Sequence, residues 1–307
     1  MTRTEEFQEL RPLLFSIAYR ILGSVSEAED AVQEAWLRYE AAPARPGSPR
    51  AFLSTVVTRI SIDVLRSARV RREEYVGPWL PEPLLTDPYE DPVRSAELAD
   101  SVSMAALLLL ERLTPLERAV FVLREVFVFG FPEIASAVGR SEAACHQLAV
   151  RARRHMEAGR VRFEADRRER DRLAGRFFDA LRAGDVDGLT ELLAADVHMT
   201  GDSGGKAPQF EPVILGAENV LRALASFVPL LVRSGGAVEP RQVNGQPGSI
   251  FRDRDGQVLS TWALDVLDGR IQAIRTVNNP DKLGHVGVVA DAWEAFREAG
   301  RAHRPAE

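Results

Sequence analysis

The sequence predicts a multidomain chain in which two all-α domains, the second with a helix-turn-helix, precede an α+β domain with a curved antiparallel sheet. Three observations carry that prediction. Apolar residues recur at helical spacing through the first half, two helices meet at a glycine turn between Phe131 and Met156, and the last third switches to alternating apolar runs joined by Asp-Gly pairs. A length of 307 residues allows two or three domains, each with its own core.

Composition narrows the function classes. At 45% hydrophobic and 27% charged residues the chain is of ordinary globular type. A net charge of -6 excludes a uniformly basic coat, so any nucleic-acid surface has to be local. One cysteine leaves no intrachain disulfide and no multi-cysteine zinc site, which fits a reducing cytosol; neither metal nor cofactor is expected. The opening MTRTEEFQEL has no signal-peptide pattern, and the apolar run Met104 to Leu110 is too short to span a bilayer. The expectation is a cytoplasmic protein without a membrane partner. Almost every cation is arginine, the only lysines being Lys206 and Lys282, which makes those two positions candidates for sites that want an ammonium; chance is the alternative.

From Arg11 to Glu40 two amphipathic helices are predicted, with Leu14, Ile17, Ala18 and Ile21 on one stripe, Ala31, Val32, Ala35 and Trp36 on the next, and a break at Gly23 and Ser24. The second displays Glu27, Glu29, Asp30, Gln33 and Glu34. The Pro/Gly-dense AAPARPGSPR, with Arg45 and Arg50, reads as an exposed loop. A third helix over about Pro49 to Glu74 turns Phe52, Leu53, Val56, Val57, Ile60 and Val64 inward and shows Arg59, Arg66, Arg69, Arg71 and Arg72. Cations late in a helix also suit its dipole, but this cluster exceeds what capping needs. Five prolines make VGPWLPEPLLTDPYEDP extended and stiff, with Trp79 and Leu80 as apolar anchors.

Met104 to Leu113 opens the second helical domain, and Thr114 caps PLERAVFVLREVF, whose core stripe is Leu116, Ala119, Val120 and Leu123. In the helix-turn-helix, Ile134, Ala135 and Val138 face inward, Gly139 makes the turn and Ser141 N-caps the next helix. That helix buries Cys145, Leu148, Ala149 and Ala152 and exposes His146, Gln147, Val150, Arg151, Arg153 and Arg154, the division a DNA-reading helix requires. Taken alone, the stretch favours DNA reading, with a helical hairpin bearing a solvated basic face as the alternative. Helical phase puts Cys145 in the core rather than in redox chemistry.

The order of acidic helix, Pro/Gly loop, RISIDVLRSARVRRE, linker and LTPLERAVFVLREVFVFGFPEIASAVGRSEAACHQLAVRARR resembles a bacterial RNA polymerase sigma factor of the extracytoplasmic-function type, over about half the chain. The resemblance implies a first domain that binds the coiled coil of the polymerase largest subunit and opens the minus-10 element, and a second that meets the flap and reads the minus-35 element. It implies Asp30, Gln33, Glu34 and Trp36 on the polymerase-facing helix, with Arg45, Arg50, Arg59, Asp63, Arg66 and Arg69 at the minus-10 strand. Ser141, His146, Gln147, Arg151, Arg153 and Arg154 are then the minus-35 candidates. Family members often carry asparagine where Arg59 stands and tryptophan where Phe52 stands. A Pro/Gly loop beside an arginine-rich helix suits the trapping of an unstacked base.

In the last domain a charged helix about Arg160 to Arg172 leads into a helix ending near Gly184, a short helix begun by Asp185 and a strand at Val197 to Thr200. Asp255-Gly256 and Asp268-Gly269 then mark hairpins among runs such as QVLSTWALDVL and RIQAIRTV. The layout resembles the SnoaL-like group of the NTF2-like fold, a cone around a pocket. WLPEP at Trp79, Leu80, Pro81, Glu82 and Pro83 resembles the linker signature of the ECF41 subgroup, whose members carry such a domain. GDSGGK, with Asp202 and Lys206, and NPDKL, at Asn279, Pro280, Asp281, Lys282 and Leu283, resemble its two loop signatures, the first usually reading DGGGK. The implied boundaries are 1–75, a linker over 76–100, 101–160, and a regulatory domain over 161–300.

The reading is therefore a promoter-specificity subunit without catalysis, whose partners are core RNA polymerase, promoter DNA and a small-molecule ligand in the C-terminal pocket. The two loops are expected to touch the WLPEP linker or the polymerase. The alternatives are an enzyme using His198, Asp202 and Asp265 as acid or base groups in the pocket, and a ligand-responsive repressor.

Overall fold

The computed structural model describes residues 2–89, 98, 100–158, 166–209, 213–233 and 235–301, with positions 68–73, 230–233 and 298–301 described by backbone alone. Two compact units divide the chain: one holds Met1–Glu74 and Asp87–Val161, the other Tyr75–Thr86 and Arg162–Glu307. The proline-rich stretch expected as a linker is thus shared, its part up to Thr86 belonging with the sheet and its part from Asp87 with the helices.

In the helical unit, α1 (Arg3–Leu22) begins well before Arg11 because Thr2 and Glu5 form a capping box ahead of the apolar stripe. Gly23, at φ 71°, ends α1 and Ser24 caps α2 (Val25–Glu40). Helix α3 (Pro49–Glu73) presents a more polar inner face than hydropathy suggests. Leu53, Val57, Ile62 and Leu65 are buried together with Ser54, Thr58 and Ser61, whereas Phe52, Val56, Ile60 and Val64 are only partly buried. Small hydroxyl residues bring helix surfaces close, and Ser61 returns its hydroxyl to the Val57 carbonyl at 2.8 Å.

Ser103 caps α4 (Met104–Leu110) and Thr114 forms a capping box with Glu117 at the start of α5 (Pro115–Phe121), which runs on as a π-turn over Val122–Val126. Helices α6 (Phe131–Val138) and α7 (Glu142–Ala158) follow, separated by Gly139 at φ 64°. The inner face of α6 is Ile134, Ala137 and Val138; Ala135, expected inside, is only partly covered.

A fully buried arginine joins the first helices to the later ones. Arg20 donates to Asp87 Oδ2 at 2.8 Å, to the Leu98 carbonyl at 3.0 Å and to Ser101 Oγ at 2.9 Å, and lies 5.3 Å from the Phe127 ring centre. Burial pulls its pKa below the usual guanidinium range while the Asp87 charge opposes that shift. Arg118, also buried, donates to the Arg20 carbonyl at 3.0 Å and pairs with Glu111.

The sheet unit opens with α8 (Arg167–Ala183), ended by Gly184 at φ 68°, and α9 (Val186–Leu192), capped by Asp185. The charged helix expected from Arg160 starts at Arg167, where Asp166 caps it through the Arg168 N–H; positions 160–165 of that expectation lie outside the described residues. Six strands follow: β1 (Leu193–Asp202), β2 (Val213–Leu215), β3 (Ala237–Val243), β4 (Gln246–Arg252), β5 (Val258–Leu267) and β6 (Arg270–Val277), ordered β2-β1-β6-β5-β4-β3. All neighbours are antiparallel except β1 and β6, which run parallel, so the antiparallel sheet expected from the hairpin signals is mixed at that pair and is not closed.

Asn244-Gly245 and Asp268-Gly269 make two-residue turns with both members at positive φ, the geometry that suits right-twisted hairpins. Helix α10 (Ala217–Arg233) and α8 cover one sheet face, where Phe177, Phe178, Leu181, Val220 and Leu224 meet Phe251, Trp262, Leu264 and Ile274. Helix α11 (Ala292–Arg301) adds Ala292 and Ala295 to that core.

Removing one member of the Arg20–Asp87 pair strands a buried charge. Asp87→Ala should lower unfolding stability by about 3 kcal/mol, and Ser101→Ala by about 1 kcal/mol or less, in urea titrations of the full chain.

Candidate nucleic-acid interface and linker clasp

The α6–α7 pair is fixed at both ends. Glu133 accepts the Gly130 N–H at 3.0 Å, and Ser141 Oγ accepts the Ala144 N–H at 3.3 Å, so Ser141 is engaged as an N-cap. Cys145, Leu148, Ala149 and Ala152 are buried, and burial pushes the Cys145 thiol up, away from thiolate chemistry. His146, Gln147, Arg151, Arg153 and Arg154 are exposed along the other face. His146 stacks on Phe131 with ring centres 3.5 Å apart. Arg151 bonds Glu117 at 2.9 Å and Arg153 bonds Glu125 at 2.6 Å. Burial works to raise the Glu117 carboxyl, yet hydrogen bonds from Arg151 and Thr114 hold it below its usual range.

On α2, Asp30, Gln33, Glu34 and Leu37 share one face at helical spacing. Asp30 and Gln33 are exposed, Glu34 pairs with Arg38 at 2.8 Å, and Leu37 is 51% exposed despite being apolar. Trp36 points elsewhere, packing on Phe7 at 4.9 Å and Tyr39 at 6.4 Å. Leu37 escaped the sequence reading because an acidic face drew attention to its charges, although its i+3 and i+4 relation to Glu34 and Gln33 was available.

The minus-10 candidates are dispersed and mostly engaged. Arg45 pairs with Glu6 at 2.5 Å, Arg50 lies 5.5 Å from the Phe129 ring centre, and Arg66 bonds Asp63 at 3.2 Å. Arg59 donates to the carbonyls of Ser136 at 2.7 Å and Ala137 at 3.0 Å, at the electronegative end of α6. The side chain of Arg69 lies outside the described residues.

The sheet unit gathers the signature loops around the proline-rich segment. Asp202 is fully buried at the end of β1. Its carboxylate accepts the Leu80 N–H at 2.7 Å, the Lys282 ammonium at 2.7 Å and the Tyr75 hydroxyl. Lys282 donates as well to the Leu80 carbonyl at 2.6 Å and lies 4.3 Å and 4.9 Å from the Trp79 and Tyr75 ring centres. Asn279 donates to Tyr75 Oη at 2.7 Å and caps the short turn Pro280–Lys282 through the Asp281 N–H. Burial and the Asp202 hydrogen bond push the Tyr75 phenol up.

Further along, Leu84 and Asn244 exchange two hydrogen bonds of 3.0 and 2.7 Å, and His285 Nε2 lies 2.6 Å from the Pro83 carbonyl. Pro81, Glu82, Pro83 and Leu283 are buried. Lys206 differs from its partner lysine: it is exposed and pairs with Asp281. Tyr75, Asn244 and His285 were not singled out from sequence; the Asn244-Gly245 pair was a turn signal, but nothing local marks a turn residue as a docking residue.

A cavity of about 170 Å³ lies on the other side of the sheet, between β1, β5, β6, α10 and α11. The proposed acid and base residues do not line it. Met199 and Gly201 on β1, and Ser260 and Trp262 on β5, face it, so alternation turns His198, Asp202 and Asp265 away. Asp265 is held instead in a buried pair with Arg275. Burial and the Arg275 charge lower the His198 pKa, against Asp265. Among the described residues no cluster of His, Cys, Asp or Glu can hold a metal, and no helix is long and apolar enough to cross a membrane.

Sigma-70 region 2 matches residues 7–71, and Sigma-70 region 4 matches residues 103–156. The chain is 40% identical to the ECF RNA polymerase sigma factor SigJ of Mycobacterium tuberculosis, covering 90% of this chain and 92% of that protein. It is 32% identical to the probable ECF RNA polymerase sigma factor SigI of the same organism, over 89% of this chain and 92% of the relative. The crystal structure of the M. tuberculosis extracytoplasmic function sigma factor SigJ superposes with a TM-score of 0.70 at 36% identity, covering 92% of this chain and 98% of that one.

The GDSGGK loop requires two of its glycines. Gly204 and Gly205 have φ of 56° and 72°, and a Cβ on Gly204 would stand 2.5 Å from Asn279 Nδ2, whereas Ser203 has no positive φ and accepts the Gly205 N–H through its hydroxyl at 3.2 Å. Gly204→Ala should speed thermolysin cleavage within residues 75–86 about tenfold or more, and Ser203→Gly should leave it unchanged.

Proposed function

Because the chain belongs to the extracytoplasmic-function family of RNA polymerase sigma factors, binding core RNA polymerase and promoter DNA to start transcription, we propose how its two units divide that work. The helical unit carries recognition. Asp30, Gln33, Glu34 and Leu37 form the face for the largest-subunit coiled coil, a mixed acidic and apolar surface of the kind a basic, leucine-bearing partner covers. The unit's later helices meet the flap. His146, Gln147, Arg151, Arg153 and Arg154 read the minus-35 element from the major groove, with Ser141 at the helix start beside the phosphates. Arg45, Arg50, Arg59, Asp63, Arg66 and Arg69 serve the minus-10 strand.

Several of these cations have internal partners, so engaging DNA exchanges one set of acceptors for another. Arg59 gives up the α6 carbonyls for phosphate, and Arg151 and Arg153 leave Glu117 and Glu125. The exchange lowers the net gain per phosphate and makes promoter affinity sensitive to anything that loosens the helical unit.

The sheet unit regulates. The observation that carries this reading is the hold of Asp202 and Lys282 on residues 75–80, the very segment by which the chain passes from α3 toward α4. A clasp on that segment governs how far the minus-10 and minus-35 readers can separate, and the cavity across the sheet offers a small molecule a place to bias it. The work is cytoplasmic, where the chromosome is, and the enzyme alternative lacks its named groups, since His198, Asp202 and Asp265 do not line the cavity.

Run-off transcription with core polymerase and the full chain tests the assignment. Leu37→Glu should weaken core binding about tenfold or more. Arg151→Ala should leave core binding intact and cut discrimination at one minus-35 base pair by roughly tenfold. Promoter-independent transcription by the wild-type chain would reject the reading.

A further inference from the structure

Of the outward residues His146, Gln147, Val150, Arg151, Arg153 and Arg154 on α7, only Val150 has a side chain that neither donates nor accepts a hydrogen bond. It is 53% exposed. A β-branched side chain loses χ1 freedom against the preceding helical turn, so an exposed valine inside a helix gains little from propensity and little from burial. Its place on the helix points to another use.

The buried residues Cys145, Leu148, Ala149 and Ala152 define the inner side of α7. The line opposite them runs through Ala143, Gln147, Val150 and Arg154 at i, i+4, i+7 and i+11, all exposed. Val150 therefore sits near the middle of the outer face, with Arg151 on one flank and Arg153 on the other. Both flanks are tied to the body of the helical unit, Arg151 to Glu117 of α5 at 2.9 Å and Arg153 to Glu125 of the π-turn at 2.6 Å. His146, one turn before Val150, is held by its stack on Phe131. These contacts set the roll of α7 in the free chain and present the central line to solvent.

What such a line meets in a major groove follows from the base edges. All four bases show hydrogen-bonding groups there, and thymine adds a 5-methyl group, the one apolar feature of the groove floor. A valine at the centre of the reading face would strip water from any donor or acceptor it covered and give nothing back, so it favours the methyl over every other edge. Gln147 precedes it by three residues, about 4.5 Å along the helix axis, against roughly 3.4 Å between base pairs. The two side chains thus fall on adjoining base pairs.

We infer that Val150 reads the 5-methyl group of a thymine in the minus-35 element, on the base pair next to the one that Gln147 meets. The inference rests on the reading of α7 as the minus-35 helix and adds to it a residue that selects by apolar contact.

Deoxyuridine isolates the methyl, since uracil keeps the pairing and the O4 acceptor of thymine and loses only that group. The probes are duplexes whose minus-35 sequence has been selected from a randomised library by the holoenzyme of core polymerase and the full chain, with each thymine on either strand replaced singly. One replacement should weaken wild-type binding about fourfold, the effect of burying one methyl, and should leave binding by Val150→Ser unchanged. Serine and valine have similar helix propensities, so α7 is preserved in that variant. Gln147→Ala should relax the base preference at the adjoining pair. The proposal is overturned by a selected element without thymine, by replacements that each change wild-type binding less than about twofold, or by an equal loss in Val150→Ser. A sensitive thymine that does not adjoin the Gln147 position overturns it as well. A library that yields no preferred sequence removes the reading of α7 itself; a preferred sequence indifferent to every replacement removes the Val150 assignment alone.

Discussion

A buried carboxylate has to be met on every side, and Asp202 is met by a lysine, a backbone amide and a phenol, two of them from the segment Tyr75–Leu80. That requirement ties the sheet unit to the stretch of chain leaving α3. Water is excluded at both partners, with side-chain exposures of 0% and 8% for Asp202 and Lys282, so neither group can be removed without leaving the other unmet. The compact ammonium suits the place. It serves Asp202, the Leu80 carbonyl and two aromatic faces from one point, which a flat guanidinium cannot do in the same space.

The helical unit follows a related logic with the signs reversed. Its many arginines sit in a chain of net charge -6, and the structure disposes of them in two ways. Arg20 and Arg118 are consumed internally, holding early and late helices together through carboxylates and carbonyls. Arg45, Arg59, Arg151 and Arg153 remain at the surface with partners that are individually weak, because exposed pairs contribute little. Cations held that way are available to a polyanion, while the buried ones are not.

The sequence made some of this plain and hid the rest for definable reasons. The helix-turn-helix was legible because Cys145, Leu148, Ala149 and Ala152 keep strict helical phase and Gly139 can only be a turn. The start of α1 was not, since its capping box at Thr2 and Glu5 precedes any apolar periodicity. The inner face of α3 misled because Ser54, Thr58 and Ser61 are buried without being hydrophobic. His198 and Asp265 were placed in a pocket although strand alternation against Met199 and Trp262 puts them on the opposite face. Asp202, Lys206 and Lys282 were marked by their loops, but Tyr75 lies 127 and 204 residues from Asp202 and Asn279, Asn244 lies 160 from Leu84, and His285 lies 202 from Pro83. The cavity, assembled from strands and helices distant in sequence, leaves no local signature at all.

The clasp is most directly tested at one amide. Hydrogen exchange of the Leu80 N–H in the full chain should be slow in the wild type and faster by orders of magnitude in Lys282→Met, with the amides of the β5–β6 hairpin unchanged. A Leu80 amide that exchanges at open-chain rates in the wild type would contradict the account.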